Sequence, residues 1–334
     1  MTLIESQTRN VLVTGATGFV GSNLVGALLH KGYAVTCLVR STSNIGALQK
    51  LPVRLVFGDL DDPAALRKAV HAMHTVYHIA GLTKASGREQ YFRINQGGTR
   101  RLLEAIAEVN PNLSRFVHMS SLAAAGPSTG SRARIEDERA NPISWYGESK
   151  LRSEEEVLRY SKDCPVTVLR PSAVYGPGDR DILLIFRMIK RGYFFSPGRF
   201  DRRFSLIHVA DLADATIKAG ETDTQSGEIF FVSRSEIYGW EDVGRAIARA
   251  LERHYRHIPF PPWIAMSMGV AGDLWSRLTG QPTAISSQKV KELLQLAWHC
   301  DSSKARSLLG FSPKIDLESG IKMTAEWYQA RGWL

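Results

Sequence analysis

The first half of the chain alternates short runs of branched apolar residues with longer amphipathic stretches. The runs NVLVTG, AVTCLVR, VRLVFGD, TVYHIAG and RFVHMSS, starting at Asn10, Ala34, Val53, Thr75 and Arg115, read as strands. Between them, GSNLVGALLHKG, DPAALRKAV and NQGGTRRLLEAIAEV space their apolar residues as helices do. Strand, helix, strand in this rhythm predicts an α/β fold with a doubly wound parallel sheet. Each run ends near a glycine, aspartate or serine, as buried parallel strands do when their carboxyl ends carry a site. The ligand edge is therefore expected to hold Gly15, Arg40, Asp59, Ala80 and Ser121.

Past Tyr146 the pattern loosens. A charged helix, ESKLRSEEEVLRYS, precedes a further strand, VTVLRPSAVYGP, and mixed segments follow at FSLIHVADLADAT and EIFFVS. From about Thr224 onward come helical stretches, EDVGRAIARAL, QKVKELLQL and SSKARSLLG, joined by proline-bearing loops. The expectation is a sheet-bearing domain over residues 1–180. Residues 181–334 then form a mixed region, with segments returning to the core and a smaller, mainly helical C-terminal lobe for the substrate. No internal repeat is visible.

Composition narrows the class. A chain of 334 residues with 44% hydrophobic and 22% charged residues can bury a core without metals or crosslinks. Cys37, Cys164 and Cys300 lie far apart with no paired spacing, which predicts a reducing compartment, no disulfide scaffold and no metal site. MTLIESQTRN carries no apolar segment, so no cleaved leader is expected and the cytoplasm is the predicted location. The formal charge of +9 favours anionic partners, but the basic residues are scattered without interleaved aromatics, which argues against nucleic acid. IPFPPWIAMSMGVAGDLW, from Ile258 to Trp275, is the most apolar stretch and too short and proline-rich to span a membrane. It can line a substrate cleft, pack as core, or touch a membrane surface peripherally.

The stretch VLVTGATGFVGS places three glycines, Gly15, Gly18 and Gly21, between a strand and an apolar-periodic helix. Glycine permits a tight turn and close backbone approach, so this spacing predicts a dinucleotide whose pyrophosphate sits at the helix start. Thr17, Phe19 and Val20 of the same turn, and Leu60 beside Asp59, complete that end of the expected cofactor site. Asp59 is placed to accept a hydrogen bond from the adenine amine. Where an acid would hold the adenosine ribose, the second strand ends in Arg40; a guanidinium pairs with a 2′-phosphate, so NADP is expected over NAD.

SWYGESK sets Tyr146 and Lys150 four apart, on one face of a helix. A nearby ammonium stabilises a phenolate and reaches the nicotinamide ribose, so the tyrosine can act as general base near neutral pH. Ser121 in HMSSLAAAG, at the end of the fifth strand, would donate a hydrogen bond to the substrate oxygen.

The glycine turn, the strand-end serine and the YxxxK pair, in this order, resemble the extended short-chain dehydrogenase/reductase superfamily, the NAD-dependent epimerase/dehydratase family. The resemblance implies a Rossmann-type fold and a catalytic set of Ser121, Tyr146 and Lys150. It implies cofactor contacts from Asn95 in the fourth helix, from Ala80 and Gly81 in HIAG, and from Pro171 and Val174 in LRPSAVYGPGD. It also implies a homodimer, with the helix after Asn95 and the helix after Tyr146 as candidate pairing elements. His78 and His208 read as core or capping residues.

Two substrate branches stay open. Nucleotide-sugar epimerases of the superfamily often carry an asparagine where this chain has Pro171 and Ser172, yet Arg203 in DRRFSLIHV falls where they place a diphosphate-binding arginine. Members resembling 3β-hydroxysteroid dehydrogenase and dihydroflavonol reductase handle apolar, polycyclic alcohols, which suits the Ile258 to Trp275 stretch. The leading expectation is hydride exchange with a secondary alcohol or ketone on an apolar, steroid- or flavonoid-like substrate bound by Ser121 and Tyr146. The alternatives are a UDP- or dTDP-sugar epimerase, with Arg203 on the substrate, and a non-catalytic dinucleotide-binding protein. Dehydration has least support, since Leu122, Ala123, Ala124 and Ala125 follow Ser121 with no extra acid or lysine.

Overall fold

The computed structural model describes residues 9–129, 132–198, 202–283 and 285–334. The amino-terminal segment read for a leader lies, up to residue 8, outside the described residues. The strand-like runs become β1 (Asn10–Thr14), β2 (Ala34–Val39), β3 (Arg54–Phe57), β4 (Thr75–His78), β5 (Arg115–Met119) and β6 (Val166–Pro171). With Glu228–Val232 they form a seven-stranded sheet, in the order Glu228–Val232, β6, β5, β4, β1, β2, β3. Every pairing in it is parallel. β5 and β6 are buried along their whole length, as strands covered on both faces must be.

Helices cover both faces and divide the core. One apolar cluster joins β1 and β2 to Leu24, Val25 and Leu28 of the Phe19–His30 helix and to Leu212 and Ile217 of the Val209–Glu221 helix. The other joins the opposite face to Leu66 of the Pro63–Val70 helix, Leu102 and Ile106 of the Gly98–Val109 helix, and Val157 of the Trp145–Arg159 helix. The chain leaves β1 toward β2 on one side and, after β3, resumes at β4 on the other. A crevice opens where the order reverses, at the carboxyl ends of β1 and β4.

The rest of the chain builds a smaller, mainly helical lobe over that crevice. Phe186 and Tyr328 meet edge to face inside a third cluster formed by the helices Asp181–Lys190, Trp240–Leu251 and Leu317–Ala330. Two small sheets brace the lobe: Arg203–His208 lies between Ile237–Tyr238 and Ala297–Trp298 and also pairs with Ala173–Tyr175, and Tyr193–Pro197 pairs with Arg256–Phe260. Among the described residues no helix is long and apolar enough to cross a membrane.

Candidate active site

β1 ends at Thr14, and the Phe19–His30 helix starts one residue after Gly18. Gly15 has φ +74°, and a Cβ on it would stand 2.7 Å from the Ala80 nitrogen. A Cβ on Gly21 would stand 2.1 Å from the Gly15 carbonyl oxygen, so helix, turn and β4 meet backbone to backbone. The first helical turn has no side-chain cap and no acidic residue. Its amides are left to an outside acceptor, and the helix dipole favours an anion there.

That helix start opens on a cleft of about 680 Å³ along the carboxyl ends of the sheet. Of the expected site residues, Gly15, Thr17, Gly18, Phe19, Val20, Gly21, Arg40, Asp59, Leu60, Ala80, Gly81, Ser121, Tyr146, Lys150, Pro171 and Val174 all line it. Beside Pro171, Ser172 is buried in the same wall, and its hydroxyl has no partner among the described residues. Vacant amides at one end and an orphaned hydroxyl further along are features a dinucleotide would satisfy. At the adenosine end the Asp59 carboxylate accepts from the Asp61 backbone nitrogen at 2.8 Å. Asp61 itself is held by Arg93 at 3.4 Å and by Arg101.

At the other end Ser144 caps the Trp145–Arg159 helix, its hydroxyl oxygen accepting from the Gly147 nitrogen at 3.1 Å. The cap fixes the helix register, so half-buried Tyr146 and buried Lys150 face the cleft together. Burial pushes the Tyr146 hydroxyl up to about 12; a hydrogen bond with Ser121 opposes that rise, and the nearby Glu292 charge adds to it. Burial brings the Lys150 ammonium down to about 8, against the pull of Glu154 one turn on. Its Nζ lies 3.6 Å from where a Cβ on Gly81 would sit, against the end of β4.

Asn95 does not line the cleft; it stands behind this set, buried in a π-helical segment, Phe92–Gly97. Its Nδ2 donates to Ser149 Oγ at 2.8 Å and to the Leu82 carbonyl at 3.1 Å, and its Oδ1 accepts from the Leu82 nitrogen at 2.7 Å. The β4 loop is thereby tied to the helix of Tyr146 and Lys150. Below them Arg170 at the end of β6 grips Glu154 with two hydrogen bonds of 2.9 and 2.6 Å, and Ser120 donates to the same carboxylate.

Arg203 lies elsewhere. It does not line the cleft, its side chain is 60% exposed, and its partner is Asp242 at 3.9 Å. It opens the central strand of the small sheet, at the end that pairs with Ala297. His78 is fully buried, with its ring nitrogens 2.7 Å from Thr14 Oγ1 and 2.9 Å from Thr99 Oγ1, and burial lowers it to about 3. His208 caps the Val209–Glu221 helix, accepting from the Ala210 nitrogen at 3.3 Å.

The sequence reading missed the wall contributed by the C-terminal lobe. Gln288, Lys289 and Glu292, all in or beside the Ser287–Leu293 helix, line the cleft. Glu292 accepts from Ser144 Oγ at 2.5 Å and from Lys289 Nζ at 3.1 Å, while Gln288 accepts from the Trp145 nitrogen at 3.2 Å. The lobe is thus latched to the start of the Tyr146 helix. Across the cleft, Lys84 after β4 pairs with Asp181 of the lobe at 2.5 Å. The available signal is the lysine and glutamate three apart in QKVKELLQL, a spacing common on solvent-facing helices.

A parallel sheet in this order, a glycine turn under its first helix, and a serine, tyrosine and lysine converging at the carboxyl ends define an NAD(P)-dependent enzyme of the short-chain dehydrogenase/reductase kind. The chain belongs to the NAD dependent epimerase/dehydratase family, whose model matches residues 11–233. It is 33% identical over 97% of its length to ceramide reductase of Caulobacter vibrioides, 96% of which is covered. It is 28% identical to UDP-glucose 4-epimerase of Vibrio cholerae, with 95% of each chain covered. Among solved structures, MoeE5 in complex with UDP-glucose and NAD superimposes with a TM-score of 0.78 at 25% identity, covering 97% of this chain and all of that one.

The expectation of NADP over NAD is corrected here. MoeE5 and several other solved structures of this fold hold NAD. Arg40 is exposed at the tip of β2, where a guanidinium can lie flat on an adenine as readily as pair with a phosphate.

Proposed function

We propose that the protein is an NAD-dependent oxidoreductase interconverting a secondary alcohol and a ketone on an apolar, long-chain substrate. The convergence of Ser121, Tyr146 and Lys150 on the cleft that begins at the glycine turn carries this reading. Gly15, Gly18 and Gly21 would hold the pyrophosphate, Asp59 and Leu60 the adenosine end, and Ala80, Gly81, Lys150, Pro171 and Val174 the nicotinamide end. Bound there, the nicotinamide supplies the hydride donor or acceptor.

The protein's own part is proton movement and orientation. Ser121 donates to the substrate oxygen and fixes the carbon bearing it. Tyr146 takes or returns the hydroxyl proton. The Lys150 ammonium lowers the cost of the phenolate, and desolvation at this depth strengthens that attraction. Asn95 and Glu292 position the helix on which the pair rides.

The substrate class rests on three supports. The chain is similar to ceramide reductase, and a ceramide is a long-chain lipid. Arg203, the expected diphosphate ligand, does not line the cleft and lies against Asp242 instead. The segment closing the cleft, which includes Thr283 and Ser286, follows directly on the apolar helix Pro262–Thr279.

A second reading is a nucleotide-sugar epimerase. It is favoured over a steroid- or flavonoid-like substrate by the solved structures, several of which hold UDP-sugars. Absorbance of reduced nicotinamide separates the two. A long-chain ketone in mixed micelles is expected to consume NADH in proportion to alcohol formed. Inverted UDP-glucose with no net absorbance change would instead establish the epimerase, and no product from either panel would leave a dinucleotide-binding protein without turnover.

A further inference from the structure

The helix Pro262–Thr279 is turned inside out relative to a core helix. The residues it presses on the protein are small: Ala265, Gly269, Gly272 and Ser276, spaced four, three and four apart. A Cβ on Gly269 would stand 2.9 Å from Ser287 Cα, and one on Gly272 would stand 1.9 Å from the Ile285 carbonyl oxygen, so backbone meets backbone on that side. Apart from half-buried Ile264 and Met266, the large apolar side chains are exposed. Trp263, Val270, Leu274 and Leu278 form one stripe, flanked by Trp275, and their exposures run from 57% to 77%. Scattered surface leucines need no explanation, but an apolar stripe along about four turns of one helix does.

We propose that this face docks on the surface of an anionic lipid bilayer. Charge favours that occupant over a second copy of the chain, because two chains each carrying +9 repel while an anionic surface attracts them. Basic residues lie at both ends of the stripe, Arg277 in the last helical turn and Arg256 in the strand leading into the helix, and both are exposed. Beside Arg256, the paired strand exposes Tyr193 and Phe195, their rings 6.3 Å apart. Tryptophan and tyrosine partition to the interface between headgroups and acyl chains, and an apolar face flanked by arginines lies there in the membrane plane. The helix lies on the bilayer and does not cross it.

The cleft is adjacent. Thr283 and Ser286, just beyond the helix, line its wall, so docking sets the mouth of the cleft at headgroup level. The use of this placement for drawing a lipid substrate rests on the apolar-substrate reading above; the docking itself does not.

Sedimentation of the full chain with phosphatidylglycerol-containing vesicles, against pure phosphatidylcholine vesicles, tests the proposal. The wild type is expected to co-sediment with the anionic vesicles, with a blue-shifted tryptophan emission and a partition that weakens as salt rises. The double substitution Trp263→Ser/Leu278→Ser, outside the cleft, is expected to lower the partition by at least about tenfold while leaving NAD affinity unchanged. Wild-type protein left in the supernatant would overturn the proposal, as would a double variant that binds as well as wild type. A vesicle-free dimer that dissociates in the variant would assign the face to a second copy. Vesicle binding without turnover of a long-chain ketone would sink the substrate reading alone, and turnover without vesicle binding would sink the docking alone.

Discussion

Replacing Tyr146 with phenylalanine lowers kcat by about a thousandfold, within the span that a positioned acid–base group contributes, while the Kd for NAD and the melting temperature stay close to wild type. The ring remains, so its packing 6.2 Å from the Tyr91 ring is kept. What disappears is the hydroxyl, the one group placed both to hydrogen-bond Ser121 and to exchange a proton with the substrate. Its high proton affinity comes chiefly from burial, which the Lys150 ammonium must offset during turnover. Steady-state kinetics beside calorimetric NAD binding separate the two effects. Full activity in the variant would remove Tyr146 from the chemistry.

The second large effect is on stability. Glu154 and Arg170 are both almost wholly buried and joined by two hydrogen bonds. Glu154→Ala leaves a guanidinium in the core without its carboxylate, at a cost of about 3–5 kcal/mol. For a chain of this length that corresponds to a melting temperature lower by about 5 °C. Removing both charges together, as in Glu154→Leu/Arg170→Met, is expected to restore more than half of the loss, because burial then costs no unpaired charge. Thermal unfolding of the three proteins provides the check. An unchanged melting point in Glu154→Ala would mean that the pair is solvated in solution.

This pair also marks where the sequence stops being legible. In ESKLRSEEEVLRYS the acidic run reads as one solvated face, yet Glu154 and Glu156 are buried and Glu155 is not. Helical periodicity assigns faces but cannot say which neighbour, here the end of β6, makes a buried carboxylate tolerable. The strands β1 to β5 were readable because each is a branched apolar run closed by a residue that ends it. Gly15, Gly18 and Gly21 were readable because flanking strand and helix patterns gave the spacing a context. Arg203 lies outside the cleft because position along a family pattern carries no information on which way a strand of the lobe turns its side chains. Glu292 was invisible for the converse reason: its contact with Ser144 joins residues 148 apart in sequence. The Ile258 to Trp275 stretch was legible as apolar, but only the inward glycines show that its large residues face outward.

The most direct measurement follows one atom. NADH carrying deuterium at the transferable position of its nicotinamide, mixed with the protein and a long-chain ketone, gives a product whose carbinol carbon is read by mass spectrometry. The account predicts one deuterium at that carbon with wild-type protein and almost none with Tyr146→Phe. Alcohol formed without the label, or label transfer undiminished in the variant, would contradict it.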